Sequence, residues 1–155
     1  GRHLKSLWRP RRSCKNPNLP TAVVVADSSV WIDFFNARPN PAREVLRRLL
    51  QEGETRLVVP DLVLFEVMRG FRTEREWRQA QALMLSLDVE ASGGTALMLD
   101  AAQHYRDLRK AGITVRSGID VLVASFCIER DYLLLHRDRD FDAFADLRGL
   151  RVWRH

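Results

Sequence analysis

Asp27 ends the run Val23, Val24, Val25, Ala26, which reads as a buried strand, and Ser28 and Ser29 lead from it into an amphipathic helix. Glu66 interrupts the apolar stretch 62–68, Asp120 precedes Val121, Leu122 and Val123 near a helix start, and Asp138 follows the apolar stretch 132–135 by three residues. Each acid alone has an ordinary explanation: a helix cap at Asp27, a partner for Arg69 at Glu66, a helix-dipole partner at Asp120, a turn residue at Asp138. The four together do not. Two carboxylates about 4 Å apart repel by roughly 4 kcal/mol at an effective dielectric of about 20, so a cluster must be relieved by protonation or by a cation. Oxygen ligands without a neighbouring Cys or His motif favour Mg²⁺ or Mn²⁺ over Zn²⁺. Such an ion binds phosphate oxygens and acidifies water, which suits phosphodiester hydrolysis.

Other chemistries find little support. The chain has no Gly-rich phosphate loop, no Gly-x-Ser-x-Gly elbow and no HExxH. His3 and His155 are terminal, His104 reads as a surface or half-buried helix residue, and His136 reads as structural or substrate-contacting. Cys14 and Cys127 match neither a zinc spacing nor a disulfide framework, as expected of a protein in a reducing cytoplasm.

The elements that must position the acids can be read from periodicity. The apolar stretch 22–26 is the first strand, and Ser28 or Ser29 can cap the helix that runs to about Asn36. Pro41 opens a helix that Gly53 closes, with Val45, Leu46, Leu49 and Leu50 on one face. Residues 57–59 form a short strand, Pro60 and Asp61 start a helix bearing Glu66, and Thr73 with Glu76 makes a capping box for a helix over 73–87. Val89 and Glu90 make a brief strand or a linker. Further helices are predicted from Ala96 to Gly112, over 117–129 and over 141–147, with strands at 132–135 and 151–153. Strands alternating with helices predict a parallel sheet covered on both faces, with its ligand site beyond the carboxyl ends of the strands, where strand order reverses.

Composition sets the remaining bounds. With 155 residues, 46% of them hydrophobic, the chain is long enough for one well-buried core. No apolar run is long enough to span a bilayer and no signal-peptide core is evident, so a soluble protein is expected. The net charge of +5 is uneven: residues 1–22 hold six of the 25 basic residues and none of the 20 acids, leaving 19 bases against 20 acids. The body is therefore near neutral. Residues 1–21 read as a basic irregular arm, an appended or upstream extension, and residues 22–155 as the folded domain.

On the motifs VVVADSSVWID (23–33), FEVMRG with Glu66, SGIDVLVASFCIE with Asp120 and LLLHRDRDF with Asp138, residues 22–153 resemble a PIN-domain ribonuclease, specifically the VapC-type toxins of bacterial toxin–antitoxin pairs. The resemblance implies an α/β fold, a three-layer sandwich with a central parallel sheet flanked by helices. It implies a Mg²⁺- or Mn²⁺-dependent endoribonuclease, a homodimer, and a VapB-type antitoxin bound to it. Carried onto this sequence, Asp27, Glu66, Asp120 and Asp138 form the acidic site, with Asp27, Asp120 and Asp138 as metal ligands and Asp140 as helper or substitute for Asp138. Ser28, Ser29 and Ser117 would orient carboxylates or hold water. RNA contacts would come from local patches, with Arg116, Arg137 and Arg139 as candidates beside Arg69, Arg72 and Arg75. Trp31, Phe34 and Phe35 suit a core or dimer contact better than base stacking.

Two other readings remain. A catalytically silent PIN-like module would keep the acids for structure and bind protein or RNA. A phosphatase of another acidic α/β family would want a second Asp two residues after Asp27, where Ser29 stands.

Overall fold

In the computed structural model, residues 22–155 are described, so the predicted basic arm and Cys14 lie outside the described residues. The first strand, β1 (Val23–Ala26), pairs on one side with β2 (Arg56–Pro60) and on the other with β4 (Leu133–Leu135), while β3 (Asp88–Glu90) pairs with the outer side of β2. All pairings are parallel, in the order β3-β2-β1-β4. The chain moves outward from β1 through β2 to β3, then returns to the opposite side of β1 to place β4. Strand order therefore reverses between β1 and β4, at the edge where Asp27 emerges.

Among the described residues seven helices cover the sheet: α1 (Ser28–Phe35), α2 (Pro41–Glu52), α3 (Asp61–Met68), α4 (Glu74–Leu85), α5 (Gly94–Lys110), α6 (Gly118–Arg130) and α7 (Asp140–Leu147). This is the predicted α/β sandwich. Val24 and Val25 are fully buried, as a central strand covered on both faces requires. Trp31 of α1, Phe126 of α6 and Phe141 and Phe144 of α7 supply the largest buried side chains. Trp31 and Phe34 thus belong to the core, and Phe35 extends their ring cluster towards Phe71.

Local chemistry explains the helix ends. Asn40 accepts from the Arg43 amide and Pro41 follows it, while Gly53 closes α2 at φ 64°, a left-handed conformation that costs glycine little. Thr73 caps α4 by accepting from the Glu76 amide at 3.2 Å. The helix ends at Leu85, before the predicted Leu87, because the chain must turn there to enter β3. The predicted strand over 151–153 is reduced to one parallel bridge between Val152 and Leu134, since the chain leaves after a single matched pair. Among the described residues no helix is long and apolar enough to cross a membrane.

Candidate active site

The ladder between β1 and β4 continues one step past the strands, where the Asp27 amide donates to the Leu135 carbonyl at 2.9 Å. That bond fixes Asp27 at the tip of the sheet. Its side chain caps α1, accepting from the Ser29 amide at 3.3 Å and the Ser29 hydroxyl at 2.6 Å, both through Oδ2. The cap is Asp27, and neither serine; Ser28 is already the first helical residue. Oδ1 of Asp27 is buried and has no hydrogen-bond partner.

Ser28 turns the other way and donates to Glu66 Oε1 at 2.9 Å, which draws α3 towards the same edge. Glu66 also lies 3.9 Å from Arg69, whose side chain is 60% exposed, so solvent screens that pair. Ser117 caps α6 by accepting from the Asp120 amide at 3.4 Å and so orients the helix's first turn. Asp120 lies within the field of the other acids. Its carboxyl is pushed up to about 7, first by burial, then by the negative charges of Asp27, Asp138, Glu66 and Asp140.

Asp138 lies in the loop between β4 and α7, and its Oδ1 accepts from the Asp140 amide at 3.0 Å. Ligand atoms of Asp120, Asp138 and Asp140 all lie within 4.8 Å of one another. The structure thus gives Asp140 equal standing with Asp138 in a trio that does not include Asp27. Asp27 joins the group through its charge on Asp120 and through its unpartnered oxygen. A buried carboxylate oxygen without a partner carries a desolvation cost that a hard cation relieves, and a set made only of oxygens fits such an ion.

The arginines divide. Arg116 and Arg139 are exposed. Arg137 is exposed too but is also tied inward, because its Nε lies 2.6 Å from Oδ2 of Asp33, a buried acid of α1. Sequence reasoning passed over Asp33, although its spacing three residues after Val30 puts a charge on the inward face of the helix. His136 is half-buried with its ring centroid 5.0 Å from that of Phe141, and its Nδ1 accepts from the Asp138 amide at 3.2 Å. Burial is the largest influence on its pKa and moves it down, which favours the neutral ring this bond requires. His104, also half-buried, accepts instead from Arg148 at 2.9 Å.

Comparison with known proteins places these features in a wider group. The family model described as the PIN domain matches residues 24–147. The chain is 30% identical over 130 residues to VapC ribonuclease Mb1587 of Mycobacterium bovis, covering 84% of this chain and 97% of that one. Ribonuclease VapC11 of Mycobacterium tuberculosis is similar to the same extent and over the same shares. In fold, the chain is similar to the structure of VapBC2 from Rickettsia felis bound to a DNA fragment from its promoter, with a TM-score of 0.68 at 15% identity, covering 84% of this chain and 97% of that chain. A second fold relative is Mycobacterium tuberculosis VapC20, a sarcin-ricin loop cleaving toxin, with a TM-score of 0.56 at 18% identity over 77% and 93% of the two chains.

Proposed function

Since this chain belongs to the PIN-domain family, we propose that it is a Mg²⁺- or Mn²⁺-dependent endoribonuclease toxin of the VapC type. The observation that carries this reading is the convergence of Asp120, Asp138 and Asp140 within 4.8 Å, joined by Asp27, whose charge reaches Asp120 and whose Oδ1 has no partner. Asp120, Asp138 and Asp140 would hold the cation, with Asp27 Oδ1 turned to it or to a water it orders. When bound, the divalent ion supplies positive charge that acidifies a water molecule and offsets charge accumulating on the scissile phosphate.

The protein's own groups prepare that chemistry. Ser29 occupies Oδ2 of Asp27 and leaves Oδ1 as its available oxygen. Glu66, steadied by Ser28, adds negative charge at the rim and can accept a proton from water or ribose. Asp120, raised to about 7 without metal, carries a proton that a cation must displace, so metal affinity rises with pH. Arg116 and Arg139 stand exposed to meet the RNA backbone.

A VapB-type antitoxin and a homodimer complete the reading. A cleft of about 750 Å³ between the ends of α1, α2, α3 and α4 joins the rings of Phe35 and Phe71 with Arg38, Arg43 and Arg72. It has both an apolar floor and charges for an amphipathic antitoxin segment. An arginine of that segment would pair with the carboxylates and displace metal; unchanged Mn²⁺ occupancy on adding antitoxin would refute displacement.

The deciding experiment incubates wild type, Asp27→Asn and Asp120→Asn with structured RNAs, with and without Mg²⁺. Cleavage confined to metal-loaded wild type is expected. Equal behaviour of all three, despite normal folding, would favour the silent binding module. Turnover of a small phosphomonoester in place of RNA would favour a phosphatase.

A further inference from the structure

Asp33 is a charged side chain that the acidic edge leaves unused. It is 2% exposed, on the inward face of α1. A carboxylate so buried must be paired and hydrogen-bonded to be tolerated. Oδ2 of Asp33 meets Arg137 Nε at 2.6 Å and accepts from Asn40 Nδ2 at 2.8 Å. Asn40 is already committed to capping α2, so one side of the pair is rigidly built.

Arg137 belongs to the other side. It immediately precedes Asp138, in the loop 136–139 that joins β4 to α7, and its side chain is 48% exposed except where it reaches Asp33. The same loop is gripped from α7 by the packing of His136 on Phe141 and internally by the Asp138 and Asp140 amide bonds. Like charges on Asp138 and Asp140 beside Asp120 disfavour this arrangement of the loop. The ion pair with Asp33 ties the loop to α1.

We propose that Asp33 is a positioning residue for the acidic site: through Arg137 it holds the β4–α7 loop in the conformation that brings Asp138 and Asp140 beside Asp120. Asp33 touches neither substrate nor metal. Its effect on metal affinity rests on the reading of the acids as a cation site, whereas its effect on the loop does not.

The test is amide hydrogen exchange over 136–142 in metal-free protein, followed by Mn²⁺ titration calorimetry, for wild type, Arg137→Gln, Asp33→Asn and the double variant. Loop exchange in Arg137→Gln should rise about tenfold with the amides of β1 unchanged, and Mn²⁺ affinity should fall about tenfold, as when a group supporting a ligand is lost. The double variant should be no worse than either single one, because both remove the same contact. Unchanged loop exchange in Arg137→Gln, or losses in the two single variants that multiply, would overturn the proposal. Should Asp33→Asn fail to fold, Arg137→Gln decides alone, since its side chain is half exposed. If wild type bound no Mn²⁺ while loop exchange still rose, the metal reading would fall and the loop assignment would stand.

Discussion

Around Arg56, at the start of β2, the acids of β3 find cations: Asp88 lies 2.8 Å and Glu90 3.1 Å from its guanidinium. Glu90 also meets Arg130 at 3.3 Å and accepts from the Tyr132 hydroxyl at 2.9 Å, and Arg130 lies 4.0 Å over the ring of Phe126. At the β1/β4 edge, Asp120, Asp138 and Asp140 meet one another instead, with the charge of Asp27 reaching Asp120, and among the described residues no arginine or lysine forms an ion pair with these four. The same residue type is matched with cations in one region and left in mutual repulsion in the other. The matched region ties an edge strand to the body. The unmatched one has no ion-pair partner for its carboxylates among the described residues.

The most direct way to break this contrast is to remove charge from the open cluster. Asp120→Asn or Asp27→Asn should lower metal-dependent RNA cleavage on the order of 10²–10³-fold, the scale of losing one preorganised electrostatic partner, while circular dichroism shows an unchanged fold. Full activity in either variant would equate the two regions.

A pH series sharpens the same point. The folded state keeps on Asp120, raised to about 7, a proton that the unfolded chain releases near pH 4. The stability this group contributes is fully present below about pH 4 and is lost as pH rises through about 7. Calorimetry of metal-free protein should show a component of the thermal midpoint that declines across this window, is absent in Asp120→Asn, and is offset by Mn²⁺ more strongly at the high end.

In the matched region the consequence is reversed. Glu90→Gln should cost about 1–2 kcal/mol, because Arg56 and Arg130 lose a partly buried partner, and should leave cleavage untouched in the same RNA assay. Smallest of all, Arg69→Ala should change stability by less than about 0.5 kcal/mol, since its pair with Glu66 is long and solvent-screened; a larger loss in urea denaturation would mean that the open cluster is partly matched after all.

Much of this molecule is local and hence legible along the chain. The valines of β1 ending at Asp27, the Asn40–Pro41 start and Gly53 stop of α2, and the Thr73 cap each depend on residues within a turn of one another. Parallel strands joined by helices then imply that acids following β1 and β4 share an edge. The amino-acid sequence by itself determined the fold class and the acids worth considering. Tertiary structure alone decided which of them meet: that Asp140 joins Asp120 and Asp138, that Asp27 keeps one oxygen unpartnered, and that Arg137 turns inward to Asp33. Periodicity specifies which face a side chain occupies, whereas a contact of 2–5 Å between residues far apart in sequence depends on how helices and loops settle against one sheet.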